Sequence, residues 1–125
     1  MSWMGKICCG SNANVQPETN LIGKVPFSYN SPSPVVLVAL LAGDCVDEVD
    51  VKVETIFDDP LATVSVGTFA DVNKYLSSSD VNLQVLCQYN NESNDDLTVA
   101  DTLILTINPG TSTQGDGYVM YKVRR

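Results

Sequence analysis

An uninterrupted apolar run, VVLVALLA at residues 35–42, is the feature that most restricts how this chain can fold. The run lies between Pro34 and Gly43, and it is far shorter than the roughly 18 apolar residues that a membrane-crossing helix needs. Such a run is typical of a strand buried on both faces or of a short core helix. The β-branched residues Val35, Val36 and Val38 favour a central strand, while ALLA at 39–42 would also suit a helical turn.

The position of the run argues against an export signal. A signal peptide needs a cationic start and an apolar core near the N-terminus. Here a polar, Asn-rich leader and the breaker cluster YNSPSP come first, and Asp44 separates Gly43 from Cys45 in the lipoprotein-like ending AGDC. We therefore expect neither an export signal nor a transmembrane segment.

After Gly43 the chain alternates between apolar and polar residues, as strands do when one face lies in the core and the other in water. In EVDVKVETIF, residues 48–57, valines alternate with charged residues. ATVSVGT, residues 62–68, alternates again after the turn DDP at 58–60. The two segments together predict a β-hairpin.

The remaining pattern is also of short strands. FADVNKYLSS, residues 69–78, is the single plausible helical turn. The whole pattern predicts an all-β antiparallel sandwich, and a jelly roll and an immunoglobulin-like order fit it equally well. The Cys-Trp-Cys hallmark of true immunoglobulin domains is missing, since the only tryptophan is Trp3. The further strand candidates are KVPFSY (24–29), VNLQVLCQY (81–89), TLILTI (102–107) and GYVMYKV (117–123).

The N-terminal segment differs in composition from the rest of the chain. Residues 1–23 are rich in Gly, Asn and Ser and show no sustained periodicity. We expect a flexible N-terminal arm at 1–23 and one β-sandwich domain at 24–125. The candidate partner-binding residues are Trp3, Met4 and Ile7 in the arm and Arg124 and Arg125 at the C-terminus.

The net charge of -8 is concentrated in the middle of the chain. Residues 44–116 carry fourteen acidic side chains against Lys52 and Lys74. An acidic body of this kind repels a phosphate backbone, because nucleic-acid affinity comes largely from cationic contacts. We expect no binding to nucleic acid.

The chain has four cysteines and no histidine. Cys8 and Cys9 are adjacent, and no C-x-x-C or zinc-finger spacing occurs, so no zinc site is predicted. We expect Cys45 and Cys87 to act as small buried hydrophobic residues and the tail thiols to be reduced. Reduced thiols favour assembly in a cytoplasm over secretion.

Three local features were weighed as chemical sites, and none has the residues its chemistry needs. GTSTQG at 110–115 has the glycine spacing of a phosphate loop, but Asp116 stands where lysine is required. The acidic cluster of Asp44, Asp47, Glu48 and Asp50 lacks EF-hand spacing and is expected to be a solvated face. Without histidine the commonest general base and the usual triads are absent. We expect no catalytic site, metal or cofactor.

Three segments in order resemble small virion proteins of tailed bacteriophages. They are the apolar strand ending in AGD, VDVKVETIFDDPLATVSVGTFAD at 49–71, and LILTINPGTSTQGDGYVMYKV at 103–123. In that family a strand ending near E-T-x-F is followed by a turn and S-V-G-T, and a glycine-rich loop leads into a closing G-x-V-x-x-Y-type strand. The resemblance covers roughly residues 24–125 and rests on structural motifs.

The resemblance implies a non-enzymatic β-sandwich subunit of the virion. We expect a capsid decoration (cement) protein on the outer head surface, assembled in the host cytoplasm. Such a subunit binds the major capsid protein across capsomer boundaries, associates as a homotrimer and stabilises the shell. The alternatives are a tail, neck or fibre component, with or without a contact to host glycan, and a non-viral adhesion or binding module.

The tyrosines separate these alternatives. Tyr75, Tyr89 and Tyr118 clustered on an exposed loop edge would favour glycan binding. Tyr118 and Tyr121 packed into a sheet would not.

Overall fold

The structure is a computed structural model that describes residues 20–125. This part of the chain forms eight strands and no helix, so none of it could cross a membrane as a helix. Two antiparallel sheets result, and the prediction of an all-β antiparallel sandwich is confirmed. The strands are β1 (Asn20–Ser28), β2 (Val35–Leu40), β3 (Cys45–Thr55), β4 (Thr63–Thr68), β5 (Gln88–Asn91), β6 (Asp95–Asp96), β7 (Asp101–Asn108) and β8 (Asp116–Arg124).

The strands are divided between a larger and a smaller sheet. Sheet A has the order β1-β8-β3-β5, and the short β6 also pairs with β3. Sheet B has the order β2-β7-β4. Strands β1 and β8 pair along their full length, from Asn20 opposite Arg124 to Ser28 opposite Asp116.

The connections define two ends of the sandwich. At the end that we call the entry end, β1 begins, β8 stops and the turn 41–44 joins β2 to β3. At the opposite end, the far end, the loops 29–34, 56–62 and 109–115 cross between the sheets. The core fills the space between the sheets. Its fully buried members include Val49, Val51 and Val53, the valines whose alternation predicted an inward face.

The apolar run forms β2, so the prediction of a strand is confirmed, but its predicted central position is wrong. Within residues 20–125, β2 is an edge strand whose one partner is β7, and Val36 is exposed. The chain leaves the strand after Leu40, so residues 41 and 42 lie in a turn and not in a helix. The central strand of sheet B is β7, which contains the TLILTI segment.

The predicted hairpin of residues 48–68 is wrong, because β3 lies in sheet A and β4 in sheet B. The loop between them turns inward at Phe57, which is fully buried in the core. Burial of this ring carries the chain from one sheet to the other. Two alternating segments therefore face each other across the core and do not pair.

Residues 69–78 form turns, so the predicted helical turn is wrong. Leu76 bridges to Val66, and the segment folds over the outer face of β4. Gly67 permits this approach, because a Cβ there would lie 2.2 Å from the carbonyl oxygen of Asp71.

The strand predicted at 81–89 begins only at Gln88. Val81 and Leu83 are buried as the alternation requires, but Val85 is exposed. The Gln84 side chain instead donates to the carbonyl oxygens of Phe57 and Asp59, at 2.7 and 3.1 Å, and holds this segment as a loop against the far end.

Two expectations about the cysteines need correction. Cys45 is fully buried, as predicted, but it is disulfide-bonded and not a reduced thiol. Cys87 is an exposed free thiol and not a buried hydrophobic residue. The disulfide at Cys45 removes part of the support that reduced thiols gave to assembly in a reducing cytoplasm.

β1 begins at Asn20, inside the segment predicted to be the arm, and it contains the predicted edge strand KVPFSY up to Ser28. Residues 20–23 pair with residues 121–124 of β8, and Leu21 packs against the core. Residues 1–19, with the candidate anchors Trp3, Met4 and Ile7, lie outside the described residues. The arm itself stays a prediction.

The start of β1 can be tested with two truncations that both lack residues 2–19. We expect removal of residues 2–23 to lower the free energy of unfolding by about 2–3 kcal/mol relative to removal of 2–19. The longer truncation is less stable because it loses the hydrogen bonds of residues 20–23 to β8 and the burial of Leu21. Urea unfolding measures the difference. Equal stability of the two truncations would show that residues 20–23 contribute nothing to the sheet.

Candidate docking surface

The entry end is closed by a buried carboxylate. Asp44 is 2% exposed and accepts a hydrogen bond from the backbone nitrogen of Leu41 at 2.8 Å, which shapes the turn 41–44. The Arg125 guanidinium donates to the same carboxylate from Nε at 3.1 Å and from Nη2 at 3.0 Å. Arg125 Nη2 also donates to the carbonyl oxygen of Ala39. The C-terminal residue therefore fastens β8 to the end of β2.

The two predicted partner-binding arginines both lie at this end, and both are engaged within the subunit. Arg124 pairs with Asp47 at 2.8 Å, and Arg125 pairs with Asp44 at 3.0 Å. Their hydrogen-bonding groups therefore serve the fold. A contact of either arginine with a partner stays a prediction.

Three large apolar side chains stand exposed around the start of β7 at the entry end. Leu41 follows the end of β2, Val99 precedes β7, and Phe69 follows the end of β4. Their exposed fractions are 51%, 68% and 59%. We call Leu41, Phe69 and Val99 the entry patch. Exposed apolar groups gathered in this way are characteristic of protein-binding surfaces.

Asp101 holds the loops of the entry patch in place. Its carboxylate accepts hydrogen bonds from the backbone nitrogens of Phe69 at 3.2 Å and Thr102 at 2.8 Å. Burial alone would raise the pKa of Asp101, but hydrogen bonds from its neighbours outweigh burial and lower it. The group is therefore a carboxylate at neutral pH, and Phe69 is presented by a fixed backbone.

The glycine-rich loop 110–115 has a structural role at the far end. Asp59 accepts a hydrogen bond from the backbone nitrogen of Thr111 at 2.8 Å, and Asp58 accepts one from that of Thr113 at 2.7 Å. These hydrogen bonds lower the pKa of both carboxyl groups. The backbone N–H groups that would cradle a phosphate are thus occupied by the chain's own carboxylates.

The acidic cluster separates into two places. Asp44 and Asp47 pair with the arginines of the entry end, whereas Glu48 and Asp50 lie on the outer face of sheet A. Within residues 20–125, no group of three acidic, cysteine or histidine side chains is arranged to hold a metal ion.

Asp50 is a largely buried carboxyl group beside Glu48. The Asn90 amide donates to both carboxylates, at 2.8 Å for Glu48. Burial raises the pKa of Asp50, and the charge of Glu48 raises it further, although the hydrogen bond from Asn90 acts in the opposite direction. The folded state therefore holds a proton at this position more tightly than the unfolded chain does.

We expect Asp50→Asn to be more stable than the wild type at neutral pH. The folded pKa lies above the ordinary 3.8, so the stability that protonated Asp50 provides is present below that value and is lost as pH rises through the folded pKa. The advantage of the variant should shrink as pH falls toward 3.8. Urea unfolding across this range measures the difference. A pH-independent difference, or one of opposite sign, would contradict the assignment.

The tyrosines do not gather into a binding site. Tyr75 is buried and its hydroxyl donates to Asp95 at 2.7 Å. The Tyr89 hydroxyl donates to the carbonyl oxygen of Asn82. Tyr118 and Tyr121 both belong to β8. This is the arrangement that does not favour glycan binding.

The entry patch was missed in the sequence because its residues lie in loops, where no periodicity marks a face. Phe69 was assigned to a helical turn, and Leu41 to the buried run. Large apolar residues directly before or after a strand could have indicated an exposed patch. Buried residues also occur at such positions, so the signal does not separate the two. Leu41, Phe69 and Val99 form a patch because the fold brings their three loops together at the entry end, which the sequence does not reveal.

The fold is similar to chains in two solved phage capsid structures. One is a chain of the acidic stable capsid structure of Helicobacter pylori bacteriophage KHP30, 18% identical, with a TM-score of 0.67 over 85% of this chain and 87% of that chain. Another belongs to the cyanophage Pam1 capsid asymmetric unit, 14% identical, with a TM-score of 0.65 over 86% of this chain and 85% of that chain. The near-equal coverage means that the matched chains are about as long as this one. The resemblance of the fold to small phage virion proteins is thereby confirmed.

No family model matches the sequence, and no curated protein does either.

Proposed function

We propose that this protein is a phage virion structural protein, a decoration or cement subunit that binds the outer surface of the head and stabilises the shell. The observation that carries the proposal is the likeness of fold, over most of both chains, to two chains of phage capsid structures. Its function on this proposal is to bury surface, and it is not an enzyme. Because binding favours the intact shell, each bound copy makes that shell harder to disrupt.

The strand order supports the jelly-roll alternative within the sandwich class. β1 pairs with β8 and β2 with β7, so the ends of the chain wrap around its middle. Double sheets of eight strands wound in this way are one of the standard solutions for capsid and lectin domains. The tyrosine arrangement gives the glycan-binding alternative no comparable support.

The entry patch is the surface that we assign to the major capsid protein. Its three apolar side chains are exposed, and hydrogen bonds to Asp101 and Asp44 fix the backbone at Phe69 and Leu41, which lowers the entropic cost of binding. The 19 residues before Asn20 also join the subunit at this end. A segment attached there reaches the same partner or a neighbouring copy, and the two contacts reinforce each other. We propose that the subunits sit on the head as homotrimers, in keeping with cyclic symmetry on a shell.

The test is to locate and count the protein in intact particles of the virus that encodes it. We expect quantitative mass spectrometry to find a copy number comparable with that of the major capsid protein, and electron cryo-microscopy to find density over the whole head. Particles lacking the protein should release their genome at a lower temperature. A few copies confined to one vertex would assign the protein to the neck, tail or a fibre and contradict the decoration role.

A further inference from the structure

The outer face of sheet A carries a regular arrangement of lysines around apolar groups. Strand register places Lys24, Met120 and Asp50 in one row across β1, β8 and β3. A second row holds Pro26, Tyr118 and Lys52, and a third holds Ile22, Lys122 and Glu48. We call these three rows the lysine face.

The centre of the lysine face is apolar and partly preformed. Ile22 is 72% exposed and borders a shallow pocket of about 130 Å³ that Met120 and Tyr121 line together with the charged residues Glu48, Asp50 and Lys122. Lys24 Nζ lies 4.1 Å from the centroid of the Tyr118 ring, and Lys52 Nζ lies 5.9 Å from it. Attraction to the ring holds both ammonium groups over one aromatic side chain. Tyrosine and methionine within a charged border are typical of protein interfaces.

The lysine face carries three lysines against Glu48 and Asp50, whereas the rest of the described chain is net negative. Lys74, Arg124 and Arg125 form ion pairs with Asp95, Asp47 and Asp44, whereas no lysine of the face has an ion pair within residues 20–125. Of the fourteen acidic residues between 44 and 116, Glu48 and Asp50 lie in the lysine face, and Glu54 and Asp116 border it beside Pro26. The remaining surface is strongly negative.

We propose that the lysine face binds the acidic surface of a second copy of this chain. The two surfaces are complementary in charge, and every copy carries both. A contact between two different surfaces of identical subunits is heterologous and closes into a ring when the rotation allows it. Subunits with a net charge of -8 otherwise repel each other, so the lysines also select the orientation in which copies meet.

This contact is compatible with the docking assigned above. The lysine face runs along the length of the strands and the entry patch lies at their end. A ring built through the sides of the sandwiches, about an axis along the strands, points every entry patch in the same direction. Association of purified copies does not require the particle, so its failure would contradict the proposed homotrimer but leave the binding of single subunits to the head unaffected.

The experiment uses the purified full-length chain in sedimentation equilibrium at low and high salt. We expect self-association that weakens as salt is added, because the contact depends on charge. Lys24→Gln with Lys122→Gln should raise the dissociation constant at least about tenfold. The control, Ser78→Glu with Gln114→Glu, changes the net charge equally at exposed positions off the face and should leave the constant within about twofold. Thermal unfolding of each variant verifies that it is folded.

Carbodiimide coupling between ¹⁵N-labelled and unlabelled copies identifies the contact directly. We expect intermolecular crosslinks from Lys24, Lys52 or Lys122 to acidic residues off the lysine face. A wild-type chain that stays monomeric at every concentration would overturn the proposal. That result would leave an acidic patch of another protein as the partner of the lysine face. Association that the lysine substitutions leave unchanged, or crosslinks from other lysines alone, would overturn it too.

Discussion

Replacing Phe57 by alanine should lower the free energy of unfolding by about 3–5 kcal/mol, the usual cost of removing a buried phenylalanine ring. Phe57 is fully buried at the far end, and its ring centroid lies 6.3 Å from that of Phe27. A Cβ on Gly115 would lie 2.4 Å from the Phe57 ring, so the glycine-rich loop closes directly over it. Alanine at this position leaves a cavity. The surrounding loops and strands would all have to move inward to fill it.

The neighbouring residue supplies the control. Ile56 is partly exposed, and we expect Ile56→Ala to cost less than about 1 kcal/mol. Urea unfolding followed by circular dichroism measures both variants. A loss below about 1 kcal/mol for Phe57→Ala would mean that the far end is closed by the Asp58 and Asp59 hydrogen bonds and not by packing.

The strands could be predicted from the sequence because alternation reports which face of a strand meets the core. The valines of β3 and the residues of β8 follow that rule, whereas β4 is buried on both faces because residues 69–78 cover its outer side. Alternation does not report which strand lies beside which. Residues 48–57 and 62–68 have the pattern of a hairpin, yet they lie in different sheets because the ring of Phe57 is buried between the sheets.

The candidate surfaces depend on contacts that are distant in sequence, which explains why they could not be predicted. Asp44 and Arg125 are 81 residues apart in the sequence, where Asp44 stands among acidic neighbours, although its partner in the fold is Arg125. Lys24, Lys52 and Lys122 come together only through the register of β1, β8 and β3.

A subunit carrying Phe69→Ser and Val99→Ser should bind heads at least about 100-fold more weakly than the wild type. Buried apolar anchors in the centre of an interface each contribute about 2 kcal/mol or more, and every 1.4 kcal/mol changes affinity tenfold. Both side chains are largely exposed in the free subunit, and the hydrogen bond from Phe69 to Asp101 uses the backbone. We therefore expect thermal unfolding of the isolated variant to match that of the wild type. Binding is measured by co-sedimentation with particles stripped of the protein.

Leu61→Ser is the matched control, because Leu61 lies in a loop of the far end and is 80% exposed. It removes a similar apolar area from the opposite end of the sandwich, and we expect head binding to stay within about twofold of the wild type. If Leu61→Ser weakened binding and the entry-patch variant did not, the subunit would stand on the head by its far end. The loops 29–34, 56–62 and 109–115 would then form the docking surface. The pair of variants thus decides the orientation of the subunit as well as the role of the patch.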